Sequence, residues 1–297
     1  MKLVRTPAGW VFSLGLAMVA GFATGCGGSN SPSSPSPGSP SAATTFKMYS
    51  ASSPAGPWSS QTVTVSGHDA LGLVDPSPIL MPDGTILLYY LMSYQNTGDP
   101  ARSQPNNQWK IGVAQSTDSG RSFTHRGVAY TGNSSTTDPF PLMLDANGTI
   151  RLLMSPGGPS VLSVTATDGT GLHFASTLDP GTRANTGGVP GALKIGSTYY
   201  LYVNGVNYFT SSDGLSFSLG GLTTLSLESP SPIDAGGGTY LMAYICAGGS
   251  NVAAHVSCMA SSADGRTWTN IGQVGAGSVP GLVKDSRGTL RIYVPNQ

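Results

Sequence analysis

The chain is poor in charged residues and in runs that favour a helix. Of its 297 residues only 9% are Asp, Glu, Lys or Arg, and 14 basic residues balance 14 acidic ones. No cluster of Lys and Arg follows the first five residues, and a nucleic-acid interface requires such a positive surface. Nucleic acid is therefore excluded as an expected partner. The 41 glycines and 22 prolines predict an all-β fold with many tight turns.

The N-terminal apolar stretch is shorter than a membrane-spanning helix, which needs about 20 residues. It extends from Trp10 to Phe22, follows Lys2 and Arg5, and ends in small residues before Cys26. That order predicts an export signal. The segment resembles a bacterial lipoprotein signal, and the resemblance implies that Cys26 is diacylated and becomes the mature N-terminus. The alternative is an ordinary signal peptide with an incidental cysteine.

The segment after Cys26 contains no residues that could build a core. Residues 27–44 read GGSNSPSSPSPGSPSAAT, and this composition predicts an extended tether. We therefore predict a signal peptide at residues 1–25, the lipidated Cys26 and tether at 26–44, and a folded domain at 45–297. The expected product is a monomer in the cell envelope, at the outer membrane or cell surface, which contacts a membrane only through its lipid anchor.

Cysteine is scarce, with three residues in the whole chain. Beside Cys26, Cys246 and Cys258 form an even pair in a protein that is predicted to be exported. This predicts a disulfide, and two buried free thiols are the alternative. The close spacing of a CxxC-type metal site is absent.

Two phrases alternate along the chain, and such periodicity is informative about the fold. The first begins at Val74 as VDPSPILMPDGTILLYY and recurs four more times, each copy running from a Pro through apolar residues to a Gly turn. The copies carry Pro76, Pro139, Pro190, Pro230 and Pro280. The second phrase begins as STDSGRSF at Ser116 and matches the Asp-box pattern, in which an Asp-Gly turn is closed by an aromatic residue. Three variants and a decayed copy at residues 50–58 occur elsewhere.

The order of the phrases predicts units of four strands, A to D. The first phrase supplies strands A and B, and the second supplies the turn between C and D. The chain begins with C and D strands, near residues 46–65, and ends with A and B strands, near residues 279–294. We therefore predict a five-bladed β-propeller whose ring is closed by the N-terminal strands pairing into the last blade.

The residues that begin the five A strands are expected to surround one mouth of the central channel. These residues are Asp75, Asp138, Val189, Ser229 and Val279. Glu228 lies directly before Ser229, so three carboxylates are expected at this mouth.

From about residue 46 to 296 the chain resembles the five-bladed glycosidases of the arabinanase, β-xylosidase and invertase type. Asp75-Pro76 and Glu228-Ser229-Pro230 match the family motifs at the first and fourth blades. The resemblance implies that Asp75 is the general base or nucleophile and Glu228 the general acid. With Asp75 as the base, the hydrolysis is expected to be inverting. The expected substrates are neutral oligo- or polysaccharides, such as those containing arabinose or xylose. The family's third carboxylate is replaced by Val189, and Asp138 either takes over its role of raising the acid's pKa or caps a turn.

Loops on the same side of the predicted ring supply candidates for substrate binding. They are His68, Asp69, Asp99, Arg102, Trp109, Arg183, Asn185 and His255. A planar ring such as that of Trp109 could stack on a sugar. No cofactor is expected to be required, and a calcium or similar ion in the channel is left open.

Two other functions remain open. A non-catalytic glycan-binding or scaffold propeller is favoured by Val189 and by an aromatic content of 8%. A sialidase-like enzyme is suggested by the Asp-box pattern, but the arginines in the relevant loops, Arg102 and Arg183, are few. Fold resemblance alone does not decide between these functions.

Overall fold

The computed structural model describes residues 44–93, 109–132, 136–156, 160–180 and 188–296. Nineteen strands occupy most of these ranges, and their only helical element is a 3-10 turn at Val252–Ala254. The all-β prediction is confirmed. Within the same ranges no helix has the length and apolarity needed to cross a membrane. The predicted signal peptide, Cys26 and the tether up to residue 43 lie outside the described residues and stay predictions, and Thr44 already begins the first strand.

The strands form five antiparallel groups, which we number I to V. Group I contains β3 (Gly72–Leu80), β4 (Ile86–Ser93), β5 (Trp109–Ser116) and β6 (Ser122–Gly132). Group II contains β7 (Thr137–Met143), β8 (Ile150–Ser155) and β9 (Leu162–Thr165). Group III contains β10 (Gly191–Ile195), β11 (Thr198–Tyr202), β12 (Gly205–Ser211) and β13 (Ser218–Leu227). Group IV contains β14 (Ser231–Gly236), β15 (Thr239–Ala247), β16 (Val256–Ser262) and β17 (Thr269–Ala276). Group V contains β18 (Gly281–Lys284), β19 (Leu290–Pro295), β1 (Thr44–Ala51) and β2 (Ser59–Ser66).

Group V brings both ends of the described chain into one sheet. Its strand order is β18-β19-β1-β2, with β1 antiparallel to β19 on one side and to β2 on the other. A short parallel pairing of β2 with β6 then joins group V to group I. The strands at the chain ends are therefore paired with each other.

The first strands of the five groups lie next to one another. Contacts link β3 to β7, β7 to β10, β10 to β14, β14 to β18, and β18 to β3. Glycine permits this approach at two of the contacts, because a Cβ atom at Gly191 or Gly281 would collide with the carbonyl oxygen of Pro230 or Pro76, respectively. Groups IV and V are further tied by the Leu282 N–H, which donates to Ser231 Oγ at 2.9 Å.

The core consists of five apolar clusters, each enclosed between two neighbouring groups. The sequence of strand β4 is a continuous apolar run instead of an alternating one, and its two buried faces explain this. Leu88 and Tyr90 point into the cluster shared with group V, while Leu87 and Tyr89 point into the cluster shared with group II. Since successive side chains point to opposite faces of a strand, a strand buried on both faces needs apolar residues at every position.

Buried tyrosine hydroxyls connect three pairs of neighbouring groups. Each tyrosine lies four residues after the Thr that follows the A–B turn, and each donates to a glycine carbonyl in the C–D turn of the next group. The bonds are Tyr89 Oη to Gly171 O at 2.6 Å, Tyr202 Oη to Gly265 O at 2.7 Å, and Tyr293 Oη to Gly120 O at 2.9 Å. The last bond runs from group V to group I, so the last and the first group are joined by the same hydrogen bond that joins neighbouring groups inside the chain.

Three of the C–D turns share one hydrogen-bond pattern. In the turn of group IV, Ser262 Oγ donates to Asp264 Oδ1 and accepts the Gly265 N–H, while Asp264 Oδ1 accepts two further N–H groups. Groups I and III repeat this arrangement around Asp118 and Asp213. The backbone N–H bonds lower the pKa of Asp264 to about 2, because they stabilise the ionised carboxylate.

Group II differs from the predicted four-strand unit, because the described residues after β9 form no fourth strand. An isolated bridge between Ala166 and Phe174 is the only pairing in its place. The chain instead returns beside β9, where Asp179 N–H donates to Ser163 O at 2.8 Å. The Asp179 carboxylate pairs with Arg151 at 3.2 Å. The described part of this segment, TLDP at residues 177–180, carries a proline and little alternation, and such a sequence does not sustain a strand.

The predicted disulfide is confirmed. Cys246 in β15 and Cys258 in β16 are bonded, with 5.8 Å between their Cα atoms. The bond lies at the base of the loop that joins these two antiparallel strands, beside the 3-10 turn.

Candidate functional site

Five residues with the same unusual backbone stand just before the first strands or at their start. Their φ angles are 52° at Asp75, 51° at Asp138, 55° at Val189, 50° at Ser229 and 44° at Val279. Each directly precedes a proline. We call these five residues the heads. A left-handed conformation is rare for residues other than glycine, above all for β-branched valine, and costs about 1–3 kcal/mol. Because the same backbone occurs with three chemically unlike residue types, Asp, Val and Ser, the connection between groups requires it.

The five heads line one small cavity, together with the prolines that follow them. Its volume is about 20 Å³, on the order of a single water molecule. Behind it the same strands enclose a larger cavity of about 350 Å³. Its lining is mostly aliphatic, with Lys194, Asp234 and Lys284 at equivalent positions of β10, β14 and β18. The heads therefore surround a small cavity, and the first strands of all five groups line a second, larger one.

Asp75 and Asp138 are in direct contact at the small cavity. The N–H of Asp138 donates to Asp75 Oδ2 at 3.4 Å, and Thr137 Oγ1 donates to Asp138 Oδ2 at 2.6 Å. Burial raises the pKa of Asp75 well above its usual value, and the negative charge of Asp138 raises it further. Burial also raises the pKa of Asp138. Two carboxyls that are close together and desolvated do not both ionise easily, so this pair favours holding a proton.

The surroundings of Asp75 bear on the role of general base that is expected for it. A general base must be ionised, and the sequence-based interpretation gave Asp75 that state. The structure instead raises the pKa of Asp75, because the neighbouring head is a second carboxyl and water has little access. Asp75 is therefore better described as one half of a pair with Asp138 than as an isolated base.

Glu228 lies at the end of β13, one residue before the head Ser229, and is half-buried. Its carbonyl oxygen accepts the Ile245 N–H at 2.8 Å. The N–H of Ser229 donates to Asn204 Oδ1, also at 2.8 Å. Glu228 is not among the residues that line the small cavity. Asn204 was missed by the sequence analysis, although it lies in a B–C connection, the class of loop from which candidates were drawn.

Three of the predicted binding residues are placed by the structure in buried positions. Trp109 is 3% exposed and belongs to the apolar cluster between groups I and II. Its ring is buried within this cluster, and the role of Trp109 in stacking on a sugar stays a prediction. His68 is buried and its Nε2 donates to Val65 O at 3.1 Å. His255 is also buried and its Nε2 donates to Gly249 O at 2.9 Å.

Asp69 is exposed, and the remaining candidates lie outside the described residues. These are Asp99, Arg102, Arg183 and Asn185. In the part of the chain that the structure describes, no group of three or more His, Cys, Asp or Glu side chains converges as a metal site would require. The described residues therefore provide no such set of ligands for an ion in the channel, and that possibility stays open.

A second pair of titratable residues, which the sequence analysis missed, lies where β6 meets β2. Tyr90 Oη and His125 Nδ1 are hydrogen-bonded at 2.6 Å, and the His125 ring stands edge-on to that of His68, with 6.3 Å between centroids. Burial lowers the pKa of both histidines. No sequence pattern links His68 to His125, since the pairing of β2 with β6 brings the two histidines together.

Comparison with known proteins relates the chain to others through its fold. No protein-family model matches the chain, and neither does any curated protein. A family 117 glycoside hydrolase from the marine bacterium Zobellia galactanivorans matches with a TM-score of 0.55 and 14% identity, over 84% of this chain and 90% of that one. An α-L-arabinofuranosidase from Clostridium thermocellum matches with a TM-score of 0.53 and 18% identity, over 71% and 78%.

An endo-arabinase from Bacteroides thetaiotaomicron matches with a TM-score of 0.53 and 16% identity, over 76% of this chain and 91% of that one. At such identities the likeness shows the fold alone. The chain thus has the β-propeller fold that these glycoside hydrolases share.

Proposed function

We propose that the protein is a glycoside hydrolase that acts on neutral glycans, such as polysaccharides containing arabinose or xylose. The observation that carries the proposal is the hydrogen bond from the Asp138 N–H to the Asp75 carboxyl at the small cavity, where burial and the charge of Asp138 raise the pKa of Asp75. Paired carboxyls with perturbed pKa values are typical of catalytic sites. Solved proteins with the same fold include an arabinofuranosidase, an endo-arabinase and a β-xylosidase in complex with xylotriose.

The proposed architecture is a ring of five blades, formed by groups I to V and closed by β1 and β2 in the last blade. Three observations support it. The first strands contact one another in cyclic order, one apolar cluster lies between each pair of neighbouring groups, and β1 pairs with β19. The shared Ser-Asp-Gly pattern of three C–D turns supports their assignment as Asp boxes.

In the proposed mechanism Asp75 and Asp138 act as one unit that keeps one proton and one negative charge near neutral pH. The remaining charge activates a water molecule, and Glu228 protonates the leaving oxygen. In the cyclic order β14 is adjacent to neither β3 nor β7, so the backbone of Glu228 lies on the other side of the mouth from the pair. An inverting hydrolysis requires such a separation, with about 6.5–9.5 Å between the acid and the base.

We also propose that the enzyme is exported and held in the cell envelope as a monomer by a lipid on Cys26. The support is the order of charged, apolar and small residues before Cys26 and the Pro/Ser/Gly-rich segment after it. Cys26→Ser should move the protein from the detergent phase to the aqueous phase in a Triton X-114 separation. A variant that stays in the detergent phase would contradict the anchor.

The activity is tested by a hydrolysis screen of arabinan, xylan and activated aryl glycosides, with Asp75→Asn and Glu228→Gln as variants. Loss of general acid or base catalysis typically costs about 10²- to 10⁴-fold in rate. We expect Asp75→Asn to lose activity on all substrates, and Glu228→Gln to lose less on aryl glycosides, whose leaving groups need little protonation. Proton NMR of the first product anomer tests inversion. Full activity in both variants would remove the assigned roles.

A non-catalytic glycan-binding propeller remains the second candidate. The small volume at the heads, about 20 Å³, favours it, because the described residues leave no room there for a sugar ring. Val189 in place of a third carboxylate points the same way. If the wild-type protein binds glycans but hydrolyses none of them, activated glycosides included, this second function replaces the first.

A further inference from the structure

The peptide group that joins Glu228 to Ser229 is hydrogen-bonded at both of its polar atoms. Its carbonyl oxygen accepts the Ile245 N–H at 2.8 Å, and its N–H donates to Asn204 Oδ1 at 2.8 Å. Since the carbonyl and the N–H belong to one planar unit, two bonds on opposite sides fix the orientation of that plane. The plane in turn sets the position of the Glu228 Cα atom, from which the side chain leaves.

Asn204 is itself held in place. It lies in the two-residue connection between β11 and β12, and its own N–H donates to Gly188 O at 3.2 Å. Gly188 directly precedes the head Val189, so Asn204 ties the start of β10 to the start of β14. The residue is exposed. Because its Oδ1 is turned toward the Ser229 N–H, its Nδ2 is turned away from that peptide.

The corresponding N–H at another head has a different acceptor. At Asp138 the N–H donates to the carboxyl of Asp75, whereas at Ser229 the acceptor is the neutral amide of Asn204. A neutral acceptor satisfies the N–H without placing a second negative charge beside Glu228. A carboxylate in this position would disfavour the ionised form of Glu228.

We propose that Asn204 is a positioning residue for Glu228: its side-chain oxygen fixes the Glu228–Ser229 peptide, and with it the direction in which the Glu228 carboxyl reaches the substrate. This inference rests on the proposed function, in which Glu228 is the general acid. Asn204 acts through the backbone of its neighbour and needs no contact with the reacting atoms.

The kinetic test compares Asn204→Ala with the matched control Asn251→Ala, in the full-length protein. Asn251 is an exposed asparagine in the B–C connection of group IV, and its side chain makes no capping hydrogen bond. A displaced acid lowers kcat most where protonation limits the rate, so Asn204→Ala should lose about 10-fold or more in kcat on arabinan or xylan and clearly less on aryl glycosides. KM should change little. Equal losses on both substrate classes, or a loss matched by Asn251→Ala, would overturn the proposal.

The Asn204→Asp variant separates the hydrogen bond from the charge. It keeps an oxygen for the Ser229 N–H but adds a negative charge near Glu228, so the alkaline limb of the pH–rate profile should move to higher pH. An unmoved limb would count against the proximity on which the inference depends.

A measurement without substrate distinguishes failure of this inference from failure of the proposed function. Hydrogen exchange at the Ser229 amide should accelerate in Asn204→Ala and stay near the wild-type rate in Asn204→Asp and Asn251→Ala. If the wild-type protein hydrolyses no glycan, the proposed function fails, while accelerated exchange still supports the fixing of the peptide by Asn204. Unchanged exchange in Asn204→Ala overturns the inference whatever the activity.

Discussion

Replacing Tyr293 by Phe tests whether group V, which contains both ends of the described chain, is joined to group I in the way that neighbouring groups are joined elsewhere. The hydroxyl of Tyr293 donates to the Gly120 carbonyl at 2.9 Å in a buried position. The ring itself is fully buried and packs edge-on against Phe123, with 5.6 Å between centroids. Tyr293→Phe therefore leaves the packing in place and removes one hydrogen bond. A buried carbonyl left without its donor typically costs about 1–3 kcal/mol, so the free energy of unfolding should fall by that amount.

The measurement is urea denaturation at pH 7, with the slope compared between variants to confirm that the same surface unfolds. Tyr89→Phe and Tyr202→Phe are the matched controls, because their hydroxyls make the same bond between groups inside the chain, at 2.6 and 2.7 Å. All three variants should lose similar stability. A loss below about 0.5 kcal/mol, the range of a neutral surface substitution, in Tyr293→Phe alone would show that group V is not joined to group I in the way that the other neighbouring groups are joined.

Three further outcomes follow from the site and the disulfide. Because the pKa of Asp75 is raised in the folded state, the free energy of unfolding of the wild-type protein should fall as pH rises from about 4 through that pKa, by about 1.4 kcal/mol per unit of difference between the folded and unfolded pKa. Asp75→Asn should flatten this slope and be more stable than the wild type at pH 7. An unchanged slope would contradict the burial of Asp75. Val189→Asn should raise the unfolding free energy by about 1 kcal/mol, because asparagine tolerates the left-handed conformation better than valine; a lower urea midpoint would contradict that account of strain. Replacing Cys246 and Cys258 together by Ser should cost about 2–4 kcal/mol, measured by thermal unfolding, and an unchanged unfolding temperature would show that the disulfide contributes nothing.

The repeated phrases were sufficient to predict the strands, because each strand is buried on one or both faces and its turns need Gly at fixed positions. The prediction that the A strands begin at Asp75, Asp138 and the three later heads agrees with the lining of one cavity by those residues. The pairing of the chain ends could also be inferred, since strands C and D precede the first A strand and A and B follow the last D strand. These features depend on local pattern and on strand order, which the sequence states directly.

The features that could not be predicted depend on contacts between distant residues. The pKa of Asp75 is raised first by burial and then by the charge of a second carboxyl 63 residues away, and Asn204 reaches a backbone N–H 25 residues further along. Trp109 is the first residue of β5, yet it lies in the apolar cluster between groups I and II, and its own sequence neighbours do not indicate that burial. The described residues of group II form no fourth strand, and this has a local cause, because the expanded turn TATDGTGLHF leads into a segment with a proline.

The heads show how a repeating scaffold can carry a site that does not repeat. All five adopt the same left-handed backbone, so the conformational cost belongs to the connection between groups and is present whatever side chain is there. Valine occupies two of the heads, although the left-handed conformation is unfavourable for a β-branched residue. The residues Asp75 and Asp138 occupy neighbouring heads, and only neighbours are close enough for one carboxyl to accept the other's N–H and to raise its pKa. Glu228, by contrast, precedes the head Ser229, whose strand β14 is adjacent in the cyclic order to neither β3 nor β7.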